Sequence, residues 1–301
     1  MRKPDVIMRH SHAKIPLRSL QVFEAAARCG SFTAAGTELG ITQSGVSRQV
    51  ADLEAVLGVA LFTRNGARLT VTSAGQRLAD QLADAFARTW AAVAEATRSD
   101  QVVILSMLPS VATRWFAPRL GRFMAAHPEI DLRITASRHL VDFAAEGIDA
   151  AIRYSPAPSP DLAATKLADE TVRPVCTPDY ARKLGLSAPD DLGRAVLLHG
   201  DIPENWDAWF AAAGCAQDPQ PGPRLGDDGA ILQAVLDHQG VALGRSLLVA
   251  DDIASGRLVT PFETSLAASH AYWFVRPDSS PPTKATSAVQ AWLLHAFGKD
   301  G

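Results

Sequence analysis

The sequence predicts a chain of three parts in series: a small, mostly helical head, one long helix, and a larger α/β body. Three observations carry this reading. Apolar residues between Pro16 and Thr72 recur at three- and four-residue steps, a proline-free helical pattern follows from Ser73 to Thr97, and from Asp100 short apolar runs alternate with helical ones. The length of 301 residues exceeds one typical domain, and an apolar content of 47% supplies a sizeable core.

In the head, Leu20, Phe23, Ala27, Leu39, Val46, Val50, Leu53 and Leu57 are spaced so that three short helices share one core. Helix, tight turn and helix in that order make a helix-turn-helix. The third helix opens at Thr42, whose hydroxyl is placed to cap the first turn. Gln43, Ser44, Ser47 and Arg48 then stand at its N-terminal end, the end that reads base edges when such a helix enters a major groove. Glutamine can bridge N6 and N7 of adenine, serine both donates and accepts, and arginine holds guanine or a phosphate. A basic hairpin follows. Arg64-Asn65-Gly66-Ala67-Arg68 lies between apolar Leu61-Phe62 and Leu69-Val71, with Asn-Gly as the two-residue turn signal and an arginine on each side to track phosphates.

The run SAGQRLADQLADAFARTWAAVAEAT, Ser73 to Thr97, keeps an apolar stripe of Leu78, Leu82, Ala85, Trp90 and Val93. A helix of about 25 residues spans roughly 37 Å at 1.5 Å per residue. The head offers this stripe no obvious partner, so pairing with a second copy is its expected outlet; packing on its own body is the alternative. In the body, strands are expected at Val102–Ser106, Asp131–Ala136, Ala150–Arg153, Arg173–Cys176, Ala195–Leu198, Val241–Leu243 and Tyr272–Val275. Helical segments between them predict an α/β fold with largely parallel sheets.

The stretches PLRSLQVFEAAARCGSFTAA, ITQSGVSRQVADLEAVLGVALFTR and LTVTSAG resemble the winged helix-turn-helix of the LysR-type transcriptional regulators, most of all the subgroup of the glycine-cleavage activator and the β-lactamase regulator. VVILSMLPSVATRWFAPRLGRFMAAHPEIDLRI and LDHQGVALGRSLLVADDIASGRLVTPF are similar to that family's effector domain. The resemblance implies a winged helix-turn-helix at 16–72 after a leader at 1–15, a linker helix for dimerisation at 73–99, and an effector-binding domain at 100–301. That domain is expected to have two α/β lobes like a type II periplasmic binding protein, lobe I at about 100–170 and 270–301 and lobe II at about 171–269. The implied DNA-facing set is Ser31, Thr33, Thr42, Gln43, Ser44, Ser47, Arg48, Arg64 and Arg68. Family resemblance also implies double-stranded DNA as partner, a small effector of the amino-acid or small-carboxylate class, and a homodimer or homotetramer. Gly36, Gly40 and Gly45 depart from the family's more usual alanine or polar residue, and Ala34 from its common arginine. Glycine within a helix costs about 0.5–1 kcal/mol relative to alanine, unless it permits closer helix approach.

Chemistry singles out a cleft as well. Ligands in open α/β sheets collect beyond the carboxyl ends of strands, and the first body strand runs into Met107-Leu108-Pro109-Ser110. Ser106, Ser110 and Thr113 are candidate donors to a ligand carboxylate, with Leu108 and Pro109 beside them; Ser110 is equally placed as a helix cap. Across the cleft Asp227 and Asp228 open the helix Gly229–His238, where aspartates often serve as caps, while Arg153 and Tyr154 end a strand. Those nine residues form the candidate effector set; because relatives tend to have small hydroxyl residues at positions 226 and 228, the resemblance implies that Gly226 and Asp228 make this pocket more acidic.

Charge agrees with a DNA-binding head on an acidic body. Up to Thr72 nine basic residues face five acidic ones, +4, so with the chain at −3 the remainder is near −7. Cys29, Cys176 and Cys215 are too few and too scattered for a disulfide frame and suit a reducing, cytoplasmic setting. The basic leader has no apolar signal core, and no run approaches the length of a membrane span, so neither export nor a membrane partner is expected. His10 and His12 could bind a metal together, but an untethered leader that merely contains histidines is the expected reading. No HExxH, GxSxG, paired CxxC, P-loop or GxGxxG stands in its required context, so no catalysis, cofactor or metal is expected; an α/β enzyme or a solute-binding protein without a DNA role is the alternative.

Overall fold

The computed structural model describes residues 15–65, 68–216 and 218–300. It divides into two compact units, one reaching Thr97 and the other beginning at Arg98, with Ala144–Glu146 grouped with the first. The leader with His10 and His12, and residues 66–67 of the hairpin, lie outside the described residues.

In the first unit, α1 (Leu17–Cys29), α2 (Phe32–Leu39) and α3 (Gln43–Leu57) pack around Val22, Phe23, Ala26, Phe32, Ala35, Val46, Val50 and Leu53. Capping sets the helix boundaries. Ser31 Oγ accepts the Ala34 amide at 3.3 Å and Thr42 Oγ1 that of Gly45 at 3.1 Å, each satisfying an N–H that has no partner inside its helix. Gly40 closes α2 with φ 65°, a left-handed conformation that glycine adopts without steric cost, which accounts for one of the three unusual glycines. Gly36 is explained by contact instead: a Cβ there would lie 2.7 Å from the carbonyl oxygen of Ile41 in the turn between α2 and α3.

Strands β1 (Phe62–Asn65) and β2 (Arg68–Val71) form the wing. Asn65 pairs with Arg68, so it is the last residue of its strand and not, as Asn-Gly suggests, the first of the turn. Glu54 of α3 accepts the amides of Leu61 at 2.6 Å and Phe62 at 3.0 Å, and the Phe62 ring meets Phe23 and Phe32 edge-on at 5.5 and 5.3 Å. These contacts fix the base of the wing to the helical core.

Helix α4 runs Ser73–Thr97, as the proline-free pattern predicts. Its stripe is divided between two environments. Leu78 and Leu82 of the stripe, with Ala79 beside them, pack against the head core, so part of the stripe does find a partner within its own unit, contrary to the sequence expectation. Trp90 and Val93 are 55% and 52% exposed.

In the second unit a five-stranded sheet has the order β4-β3-β5-β11-β6, with β3 (Val102–Met107), β4 (Asp131–Ala136), β5 (Ala150–Ser155), β6 (Leu162–Ala168) and β11 (Ala271–Pro277). A four-stranded sheet has the order β10-β7-β9-β8, from β7 (Thr171–Val175), β8 (Leu197–Leu198), β9 (Val241–Arg245) and β10 (Leu266–Ala267). The seven expected strands all have counterparts here; β6 and β10 were not anticipated, one an edge strand with weak alternation and the other two residues long. The sheets are mixed rather than largely parallel. β3 runs parallel to β4 and β5, and β8 to β9, whereas β11 is antiparallel to β5 and β6, and β7 to β9 and β10. The reason is topological: the chain leaves the first sheet after β6, builds the second, and returns as β11 between β5 and β6. Alternation of strands and helices in the sequence carries no record of that return.

Trp115 stacks near Phe297 at 3.9 Å beside Trp292 in the core of the first sheet, while Trp206, Trp209 and Phe210 fill that of the second. No helix among the described residues is long and apolar enough to cross a membrane.

Gly36→Ala tests the close approach in the head. Alanine gains about 1 kcal/mol of helix propensity, and overpacking against a backbone carbonyl costs roughly 1–3 kcal/mol. A lower melting temperature of the head is expected; an unchanged or raised one would show that the turn yields.

Candidate functional site

The N-terminal end of α3 presents Thr42, Gln43, Ser44 and Arg48 to solvent, while Ser47 is half-buried on the same helix. Thr42 Oγ1 lies 3.1 Å from Ser44 Oγ besides capping the helix, so these hydroxyls are held in place, next to an exposed Gln43. On α2, Thr33 is exposed and Ser31 is engaged as the cap. The side chains of Arg64 and Arg68 lie outside the described part of the molecule; their backbones flank the connection at 66–67. Arg28 contributes less positive field than a charge count suggests. Its guanidinium is bonded to Glu24 at 3.0 Å and to Glu38 at 2.6 and 3.1 Å, a triad that leaves it committed within the head.

In the second unit, a cleft of about 220 Å³ opens beyond the carboxyl ends of β3, β4 and β5. From the first sheet it is lined by Leu108, Pro109 and Ser110 after β3, Arg138 after β4, and Tyr154 of β5. His270 stands on the chain crossing back from the second sheet, which supplies Asp201, Asp227, Asp228 and Arg245. Six of the nine sequence candidates, Leu108, Pro109, Ser110, Tyr154, Asp227 and Asp228, therefore meet at one place. Three do not line it. Ser106 is fully buried and accepts from Arg153 Nη2 at 3.5 Å within the first sheet, and Thr113 turns its hydroxyl back onto the Pro109 carbonyl at 2.9 Å.

The two aspartates divide their roles. Asp227 is the N-cap of the helix Asp228–Leu236 (α9, after Leu120–Ala126 as α5, Phe143–Glu146 as α6, Pro178–Leu184 as α7 and Trp206–Ala213 as α8), its Oδ1 accepting the Ala230 amide at 3.0 Å. Asp228 instead pairs with the guanidinium of Arg245. Ser110 is not a cap: Leu108 holds that position without a side-chain bond, and Ser110 sits within the turn that follows, 3% exposed, accepting from Arg245 Nη2 at 3.4 Å. Proline at position 109 explains the difference, since it opens the turn one residue ahead of the serine and needs no capped amide of its own.

Arg245 is the residue that sequence reasoning missed. It is 3% exposed, its Cζ lies 4.4 Å from the Tyr154 ring centroid and 5.9 Å from that of Tyr272, and Asp228 supplies its charge partner. The available signal was an arginine closing the apolar strand Val241–Arg245. Burial pushes the phenols of Tyr154 and Tyr272 above their ordinary range, so both stay neutral donors. Neither hydroxyl, nor Arg245 Nε, has a hydrogen-bond partner among the described residues. Such groups are costly when left unmade.

Glu170 supports this wall from behind. Its carboxylate accepts the amides of Ser246 at 2.7 Å and Leu247 at 3.3 Å at the start of α10 (Ser246–Ala254), next to Arg245. The helix N-terminus compensates part of the desolvation of that buried charge.

Comparison with known proteins places both units. Residues 17–76 match the bacterial regulatory helix-turn-helix proteins of the lysR family, and residues 96–298 match the LysR substrate binding domain. The chain is 36% identical over 287 residues to the glycine cleavage system transcriptional activator of Escherichia coli K12, covering 93% of each. It is 37% identical over 282 residues to the transcriptional activator AmpR of Rhodobacter capsulatus, covering 93% of this chain and 96% of that one. Among solved structures, the effector domain of AmpR of Pseudomonas aeruginosa superposes with a TM-score of 0.58 at 32% identity, covering 66% of this chain and 96% of that one. CrgA of Neisseria meningitidis, a LysR-type regulator, gives 0.52 at 22% identity over 96% and 100% of the two chains, a likeness of fold.

Asp228→Asn should leave the buried guanidinium of Arg245 without its charge partner. Because Asp228 retains some solvent access, the loss is set below that of a fully buried pair, at roughly 1–3 kcal/mol. A drop in the melting temperature of the effector domain is the expected reading, and wild-type stability would show that Arg245 repairs itself through Glu170.

Proposed function

The chain belongs to the LysR family of DNA-binding transcriptional regulators with an effector-binding domain, and from that premise we propose how its own residues divide the work. The observation that carries the reading is the exposed N-terminal end of α3, where a capped helix start presents Gln43, Ser44 and Arg48 together. In this reading Gln43 and Ser44 read base edges in the major groove, and Arg48 holds a guanine or a phosphate. Thr42, Ser47, Ser31 and Thr33 line the approach, and Arg64 and Arg68 of the wing follow the phosphate backbone. The exposed half of α4 around Trp90 pairs two protomers, so that two heads meet a site with two half-sites; a tetramer is the higher assembly. A small molecule in the Asp228–Arg245 cleft shifts the population between two arrangements of the assembly, by binding one more tightly than the other. The protein works in the cytoplasm, where its DNA is, without catalysing a reaction. An amino acid or small carboxylate is the effector class.

Gln43→Ala should weaken binding to the specific site by roughly 1–3 kcal/mol while leaving binding to random duplex nearly intact. Titration of both DNAs by fluorescence anisotropy decides it. Equal losses on the two would remove base readout from this helix.

Trp90→Glu is the informative substitution in α4, because Leu82 already packs on the head and a charge there would damage the head first. A glutamate at position 90 must be buried in any helix pair formed there, which is unfavourable without a partner. Sedimentation should show smaller species and a two-half-site operator should be bound more weakly; an intact oligomer with unchanged operator affinity would refute pairing through this segment.

A further inference from the structure

The charges that line the cleft are matched within the protein, with one exception. Asp228 is paired with Arg245, which is buried in the wall. Asp201 has Arg224 at 3.6 Å, itself fixed by a 3.0 Å hydrogen bond to the Gly200 carbonyl. Asp227 commits Oδ1 to the Ala230 amide at the start of α9, the end of a helix that favours a negative charge. The exception is Arg138, on the chain after β4. It lines the cleft, and among the described residues its guanidinium has no hydrogen-bond or ion-pair partner. Gly226 leaves room beside it: a Cβ there would lie 3.6 Å from Arg138 Nη1 and 3.2 Å from Asp201 Oδ2. Arg138 therefore reaches from the side of the first sheet to a bare stretch of backbone on the side of the second.

Much of the remaining lining is apolar. Leu108 and Pro109 come from the side of the first sheet, Ile202 and Pro203 from that of the second. Arg245 and Ser110 are joined to each other, and Arg245 to Asp228, so the protein's own carboxylate fills the place a ligand's would otherwise take on that wall. At about 220 Å³ the space is smaller than a drug-sized pocket and suits a small metabolite. A single acidic group gains the forked donors of Arg138. A second carboxylate would find no second free cation, and an ammonium group would find each carboxylate already engaged; either charge would lose water without a partner to replace it.

Resting on the reading of this cleft as the effector site, we propose that it selects a small monocarboxylate with a short apolar body. The carboxylate docks on Arg138 beside Gly226, and the body lies against Leu108, Pro109, Ile202 and Pro203. Arg138 is then the residue that determines specificity, while Asp228, by holding Arg245, takes the buried arginine out of ligand recognition. Of the effector classes, this chooses plain apolar acids over amino acids and dicarboxylates.

A matched series tests the choice on the full chain by calorimetry and thermal shift. The probes are 4-methylpentanoate; leucine, which adds an ammonium group to it; isoamylamine, which is leucine without the carboxylate; and succinate, in which a second carboxylate replaces the isopropyl end. The first should bind at least about tenfold more tightly than each of the others. Arg138→Gln removes the charge from a side chain that holds nothing else in place. It should weaken 4-methylpentanoate at least about tenfold while the melting temperature of the free protein stays at the wild-type value. Another probe binding as tightly as 4-methylpentanoate, no probe binding, or a glutamine variant that binds as wild type would each overturn the proposal. Ile202→Trp separates selection from location by filling the apolar side of the cleft. If leucine or succinate is preferred and the tryptophan variant abolishes its binding, the selection by Arg138 fails and the cleft stands as the ligand site. If every probe that binds wild type binds both variants equally well, the cleft itself is the wrong site.

Discussion

A guanidinium cannot shed its proton, so burying one forces the surrounding protein to supply compensation. Arg245 imposes that constraint on the effector domain. Its compensation comes from both sheets: Asp228 from the start of α9 beside the second, the faces of Tyr154 and Tyr272 from β5 and β11 of the first, and the Ser110 hydroxyl from the turn after β3. Glu170, at the crossing between the sheets, adds a carboxylate behind it. The sheets are thus joined at the cleft by one charged group whose partners lie on opposite sides. A ligand that changes the field at Asp228 acts on that junction directly.

The head solves a different problem, that of exposing a helix end without leaving its amides unsatisfied. Thr42 spends its hydroxyl on the Gly45 amide and lies against Ser44, so the cap is met locally and Gln43 has no structural duty. Gly36 lets the turn before α3 pass close to α2, and Glu54 ties the far end of α3 to the wing. Helix α3 is thus held at both ends, by the close turn before it and by its tie to the wing.

Local chemistry was legible in the sequence. The bounds of α4, the cap at Thr42 and the shared core of α1 to α3 follow from spacing and side-chain type, because each depends on residues within one or two turns of one another. Long-range approach was not. Nothing in the periodicity of Ser73–Thr97 distinguishes Leu82, which meets the head core, from Trp90, which does not. Strand direction escaped for the same reason, since β11 returns after about a hundred residues spent in and around the other sheet. In the cleft, Ser110 and the aspartates were identified by their positions at element ends, but the roles of Ser110 and Asp228 were decided by Arg245, over a hundred residues from Ser110 in sequence. That arginine reads as the end of an apolar strand until its partners are known.

The division of labour between Asp227 and Asp228 shows how adjacent residues of one type acquire separate functions. Asp227, at the cap, has one oxygen committed to the Ala230 amide, and its geometry is fixed by the helix it starts. Asp228, one residue on, is already in the helix and projects toward the other sheet. A charge at the first position can be exchanged for a neutral amide without losing the cap, whereas the second cannot be neutralised without stranding a buried cation. The helix start therefore holds one carboxylate bound to the protein's own stability beside another whose charge the fold does not require.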